Sequence, residues 1–236
     1  MNNSINRLRL VRKRIEEACR AAGRDPNEVS LLAVGKRHPV EKIVELHQLG
    51  VEAFGENQVQ EAMDKQRELG DLKLQWHFIG NLQSNKTRVI AENFQWAQSV
   101  DRQKILVRLS EQRPDSLGPL NICLQVNIDR EPQKAGADPE EILKLAALCR
   151  DLSNIRLRGL MAIPRLTTDK TEQHESFRNV KALFDTLRSE GHDIDTLSMG
   201  MSADLEAAIE EGSTTDVAGS ADTHAERPGT RGLHGR

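Results

Sequence analysis

The amino-acid sequence predicts a single (β/α)8 barrel, an α/β fold of TIM type, on three observations. The chain has 236 residues, close to the roughly 250 typical of that architecture. Short apolar runs alternate with longer amphipathic segments along most of it, and strand followed by helix, repeated, dictates parallel strands with right-handed crossovers. Neither GxGxxG after the first strand nor GxxxxGK[ST] occurs, so the phosphate loops usual in the doubly wound open-sheet alternative are missing.

The elements follow in order. Leu8, Val11, Ile15 and Ala18 recur at helical spacing among Arg and Glu, which makes an amphipathic opening helix with a solvated basic face. After a turn at Gly23 to Pro26, the first strand is expected over Val29 to Val34. Six more apolar runs, at 52–54, 74–79, 94–99, 120–127, 155–161 and 194–198, read as strands. Helical periodicity fills the gaps at 39–49, 57–69, 84–92, 101–113, 138–150, 171–189 and 202–211. A candidate eighth strand covers Thr214 to Ala218, but from Thr215 onward Val217 and Leu233 are the only large apolar residues. A parallel strand covered on both faces should be almost continuously apolar. The last strand is therefore expected to be atypical, with the barrel domain spanning 1–221 and residues 222–236 forming a disordered tail.

Composition narrows the function. With 33 basic against 36 acidic residues the net charge is -3, so no strong overall field draws nucleic acid or an anionic membrane. The opening lacks a secretory apolar run and no stretch approaches the roughly 20 apolar residues of a membrane span. Cys19, Cys123 and Cys149 are far apart and odd in number, which indicates core thiols in a reducing, cytoplasmic setting and neither a disulfide framework nor a metal site. Tyrosine is absent, which excludes any mechanism that needs a phenol from this sequence.

Barrels of this kind carry their chemistry at the carboxyl ends of the strands. The first strand, ending LLAV, is followed by Gly35-Lys36. A lysine at the barrel mouth can serve as an amine nucleophile; a solvated lysine opening a loop is the plain alternative. The second strand ends Phe54-Gly55-Glu56-Asn57, offering a side-chain amide. His77, between Trp76 and Phe78, fits an interior hydrogen-bonded histidine better than a catalytic one. Asn127, with Glu131, Lys134 and Gly136 behind it, fits ordinary loop chemistry. The seventh strand runs into Met199-Gly200-Met201-Ser202, where Ser202 is either the N-cap of the next helix or, with free backbone N–H groups, part of a phosphate site. An amine facing a phosphate site suits a phosphorylated aldehyde, of which pyridoxal phosphate is the obvious example.

Long runs of the sequence resemble the pyridoxal phosphate homeostasis protein family, related in fold to the barrel of alanine racemase. They include Leu32-Ala33-Val34-Gly35-Lys36, Phe54-Gly55-Glu56-Asn57 with Gln60-Glu61, and Trp76-His77-Phe78-Ile79-Gly80 with Leu82-Gln83-Ser84-Asn85-Lys86. They continue through Arg158 to Pro164, Leu197 to Ile209 and Gly212-Ser213-Thr214, at family spacing from about residue 5 to 214. The resemblance implies that Lys36 forms the internal aldimine with pyridoxal phosphate, that Asn57 lies beside the cofactor ring and that Ser202 helps hold the phosphate. Gly219 and Ser220 would supply part of the phosphate cup.

It further implies an intracellular vitamin B6 carrier that limits free aldehyde without established turnover, with pyridoxal phosphate-dependent apo-enzymes as candidate partners. The rival is a fold-type III enzyme, a racemase or decarboxylase acting on amino acids. Racemase relatives use a second base, a tyrosine on a separate C-terminal domain, and the sequence holds neither. Two departures from the family stand out. Gly35 replaces a serine, and the apolar last strand of the form Met-Val-Arg-Ile-Gly becomes Thr215-Asp216-Val217-Ala218-Gly219. The family arginine facing the pyridine nitrogen thus falls on Val217, and closure of the barrel is expected to be weaker. Divergence and a shifted reading frame both produce so abrupt a change.

Overall fold

Eight parallel strands close into a barrel in the computed structural model of the chain, which describes residues 2–70 and 72–218. After α1 (Asn2–Ala21) come β1 (Ser30–Val34), α2 (Val40–Gln48), β2 (Ala53–Glu56), α3 (Val59–Glu68), β3 (Gln75–Phe78), α4 (Thr87–Asn93) and β4 (Trp96–Val100). The second half comprises α5 (Gln103–Gln112), β5 (Leu120–Val126), α6 (Pro139–Cys149), β6 (Ile155–Ala162), α7 (Lys170–Ser189), β7 (Thr196–Met201), α8 (Leu205–Glu210) and β8 (Thr215–Ala218). Every predicted strand and helix is present, with ends displaced by a few residues. The predicted tail, 222–236, lies outside the described residues.

The core is the layer between strands and helices. Phe54, Trp76, Phe78 and Phe94 are buried in it, and Phe78 meets Phe94 edge to face at 5.5 Å, a geometry worth about 0.5–1.5 kcal/mol beyond area alone. The apolar stripe of α1 does a separate job. Val11, Ile15 and Ala18 pack with Val29, Leu205, Ile209 and Ala218, so the opening helix covers the seam where β8 meets β1. All three cysteines are buried free thiols, and burial pushes Cys149 up to about 12. Among the described residues, no helix is long and apolar enough to cross a membrane.

The seam closes in spite of its polar strand. β8 pairs in parallel with β1, from Ser30 opposite Thr215 to Ala33 opposite Ala218, and with β7 at Ser198–Thr215 and Met201–Val217. Side chains just before the strand hold it there. The buried Ser213 hydroxyl donates to the Met199 carbonyl at 2.7 Å, and Thr214 Oγ1 accepts from the Leu197 N–H at 2.8 Å. Arg24 adds hydrogen bonds to the carbonyls of Ile209 and Ser213. Backbone pairing and these latches replace the apolar residues whose loss predicts a weak closure. Ala218 packs against α1 and α8, and strand alternation then turns Asp216, 1% exposed, toward the helices and Thr215 and Val217 toward the barrel interior.

Candidate functional site

The Gly35-Lys36-Arg37 segment leaves β1 at the carboxyl end of the barrel. The Gly35 N–H still bonds the Gly55 carbonyl at 2.9 Å, extending the β1–β2 ladder by one rung. Arg37 then adopts φ 62°, a left-handed conformation that costs a non-glycine residue about 1–3 kcal/mol. Its N–H is fixed by Glu61 Oε1 at 2.6 Å. Lys36 sits between these anchors, exposed, and its amine makes no hydrogen bond or ion pair among the described residues.

Beneath the segment lies a buried charge network. Lys65, 6% exposed on α3, donates to the Gly35 carbonyl at 2.6 Å, to Glu56 Oε1 at 2.8 Å and to Glu61 Oε1 at 2.7 Å. Glu56 is fully buried. Burial pushes its carboxyl above the ordinary range, against the opposing hydrogen bond and charge of Lys65 and the charge of Lys36. Burial also acts upward on Glu61, but hydrogen bonds from Lys65 and the Arg37 N–H, with the charges of Lys65 and His38, hold it below the usual range. The network clamps the backbone on both sides of Lys36 while leaving the amine accessible. A Cβ at Gly35 would lie 2.5 Å from Glu56 Oε1, so a side chain there requires that carboxylate to shift.

The clamp is the part that sequence reasoning missed. Its signal was present, because Lys65 falls on the same helical stripe as Ala62 and Leu69, both buried. A lysine on an apolar stripe needs an internal partner.

The neighbouring mouth positions are set by close backbone approach. Asn57 is exposed just past β2, and a Cβ on Gly80 would overlap the Asn57 carbonyl, so only glycine lets the β3 loop pack under that amide. Asn127 is used locally: its amide donates to the Glu131 carbonyl at 2.9 Å and accepts from the Glu131 N–H at 3.1 Å. Lys134 pairs with Glu131 at 2.7 Å.

Ser202 follows β7 on the same end of the barrel as Lys36, with β8 between their strands. It is half-buried, and it is not the helix N-cap. Asp204 occupies that position, and its carboxylate turns back to accept the Met201 N–H at 2.6 Å. This bond makes Met201–Asp204 a tight turn and delays α8 to Leu205. Arg14 of α1 braces the turn through the Ser202 carbonyl at 2.9 Å and two bonds to Glu206. Gly200, at φ 95°, lies where a Cβ would press on Ala208 at 2.5 Å, so glycine is required for the strand to end against α8. Gly219 and Ser220 lie outside the described residues.

His77 is interior, as its sequence context predicts. Burial lowers its pKa to about 3, so the ring is neutral, and Nδ1 faces Gln98 Nε2 at 2.9 Å. The carboxyl end of the barrel therefore carries an exposed primary amine, an exposed amide and a hydroxyl on a braced turn. These are donors suited to a phosphorylated aldehyde, whereas Val217 presents no charge on the inward face of β8.

Comparison with known proteins places the chain in a family. The family model for the alanine racemase N-terminal domain matches residues 7–219. The pyridoxal phosphate homeostasis protein of Pseudomonas aeruginosa is 54% identical over 214 residues, covering 91% of this chain and 92% of that protein. The protein of the same name from Escherichia coli K12 is 47% identical over 217 residues, covering 91% and 93%. Among solved structures, PipY of Synechococcus elongatus with pyridoxal phosphate bound matches with TM-score 0.77 at 36% identity, over 87% of this chain and 98% of that one. Alanine racemase of Clostridium difficile shares the fold, with TM-score 0.78 at 15% identity over 98% of this chain and 58% of that one.

Proposed function

The chain belongs to the alanine racemase N-terminal domain family, among its pyridoxal phosphate homeostasis proteins, and we propose that it binds pyridoxal phosphate at the carboxyl mouth of the barrel through Lys36. The chemistry that the cofactor supplies when bound is a reversible carbon–nitrogen link between its aldehyde and a primary amine. The observation that carries the assignment is the Lys36 amine, exposed and, among the described residues, unpaired on a backbone clamped by Lys65 and Glu61. The clamp fixes where the amine emerges, which lowers the entropy lost when it is engaged.

In this proposal Asn57 orients the ring from the β2 side. Ser202 donates to the phosphate from a turn that Arg14 and Asp204 brace, and Gly219 with Ser220 complete the cup. Val217 offers the ring nitrogen no hydrogen bond. The role is cytoplasmic B6 homeostasis, with apo-enzymes that use the same cofactor as recipients. It proceeds without amino-acid turnover, and the support for that is the absence of tyrosine, the opposing base of the racemases.

Incubation with pyridoxal phosphate should give an absorption band that borohydride abolishes as hydride reduces the carbon–nitrogen double bond to a stable secondary amine, with the label on the peptide holding Lys36. The same preparation should fail to exchange the α-proton of a panel of amino acids in deuterated water. Exchange at a rate comparable to an amino-acid racemase would transfer the chain to the enzymes of the family.

A further inference from the structure

One cavity of the molecule does not open at the Lys36 mouth. It holds about 610 Å³ and lies at the opposite, amino-terminal end of the barrel. Ser30, Ala53, Gln75, Trp96, Thr196 and Thr215, each the first residue of its strand, line it. Its volume falls within the range of small-molecule pockets.

The floor is polar where barrel interiors are ordinarily filled by Val, Ile and Leu. His77, Gln98 and Ser198 are 5%, 1% and 1% exposed and form a directed chain. Ser198 Oγ donates to Gln98 Oε1 at 2.8 Å, and Gln98 Nε2 donates to His77 Nδ1 at 2.9 Å. Nδ1 is therefore the acceptor and the ring proton sits on Nε2. That atom is buried without a hydrogen-bond partner among the described residues, in a ring that lines the cavity. The ring cannot swing away, because it stacks on Trp96 at 5.0 Å and 7°, and Arg158 lies over the same indole at 4.8 Å. A buried N–H held in this way requires an acceptor.

The charges of the lining restrict what that acceptor belongs to. Arg158 is committed to Asp195 by two hydrogen bonds, and Arg12 is turned to the carbonyls of Leu49 and Gly50. Glu16, Glu28 and Glu52 also line the space, so carboxylates outnumber cations and an anion is repelled. An apolar guest would leave the His77 N–H buried against hydrocarbon.

We propose that the amino-terminal mouth is a second binding site, for an uncharged polyhydroxylated small molecule of the sugar or nucleoside class, with one of its oxygens accepting the His77 Nε2–H. The site is independent of the Lys36 assignment and stands on the other end of the barrel.

Trp96 is the reporter. Trp76 and Trp96 are the two tryptophans of the chain, so Trp76→Phe in the full-length protein leaves the cavity residue as the sole indole. Uridine, sucrose and D-ribose are the probes, with inorganic phosphate as the anionic control. At least one uncharged probe should change Trp96 fluorescence saturably in the millimolar range or below. His77→Phe should weaken that binding tenfold or more, and Lys36→Ala should leave it unchanged. In the unmutated protein, nitrogen-15 NMR should place the His77 proton on Nε2, and its resonance should move with the same probe. Absence of a saturable response to all three probes overturns the proposal, as does a response to phosphate alone. A His77 Nε2–H resonance that no probe shifts marks an ordered water as the acceptor and also overturns it.

Discussion

β1 and β8 lie side by side across the seam of the barrel, and they hold their places by different means. β1 carries Leu32, Ala33 and Val34, all buried, so burial of side chains secures it, and the residues that follow it are free to be polar. β8 carries Thr215 and Asp216, also buried, opposite Ser30 and Leu31, and its place is secured by ladder hydrogen bonds and by Ser213 and Thr214 just before it. A barrel strand can thus lose its apolar character and keep its position, provided that its entry is latched. What such a strand gives up is what it presents inward, and here Val217 stands on that face without a charge.

The comparison breaks most forcefully at the clamp behind β1. Lys65→Met leaves Glu56 buried without its counter-charge, and removing one partner of such a pair costs about 3–5 kcal/mol. For a chain of this size thermal denaturation should fall by roughly 6–20 °C, at about 2–4 °C per kcal/mol. The loss should also depend on pH. Burial already raises the Glu56 carboxyl, and without Lys65 it rises further. A group whose pKa is raised on folding favours the folded state at low pH and ceases to do so as pH rises through its folded value. The variant should therefore be closest to the unmutated protein near pH 5 and fall furthest behind at pH 8, by melting at both.

Breaking the latch of β8 should cost less. Ser213→Ala removes one buried hydroxyl and leaves the Met199 carbonyl short of a donor, for about 1–3 kcal/mol. Hydrogen exchange should then accelerate first in β8 and β7 and leave β2 and β3 protected. Uniform acceleration would mean that the seam is not a separate unit of stability.

The smallest effect sharpens the functional side of the comparison. Val217→Arg places a cation on the inward face of β8, and one charge-assisted hydrogen bond should tighten pyridoxal phosphate binding about tenfold, near 1.4 kcal/mol. An unchanged affinity, measured by absorbance titration, would show that this face of β8 does not reach the cofactor.

Much of this was legible in the sequence, and the gaps have physical causes. Apolar runs alternating with helical stripes gave the barrel and the order of its elements, because both periodicities are local. Lys36, Asn57 and Ser202 were legible as strand-end residues of family-like runs. The boundary of α8 was misplaced because the Asp204 carboxylate bonds backward to Met201 and not forward into the helix, a choice that composition does not encode. Apolarity alone underrates β8, because Ser213 and Thr214 pin it from outside its own span. Lys65 was overlooked because its partners, Glu56 and the Gly35 carbonyl, lie on other elements.

In the proposed function the amine of Lys36 holds the cofactor. Borohydride reduction of the protein with pyridoxal phosphate, followed by peptide mapping, tests it most directly. One stable adduct is expected on Lys36, and it should disappear in Lys36→Ala at unchanged melting temperature. An adduct of equal yield in that variant, or one mapped to another lysine in the unmutated protein, would contradict it.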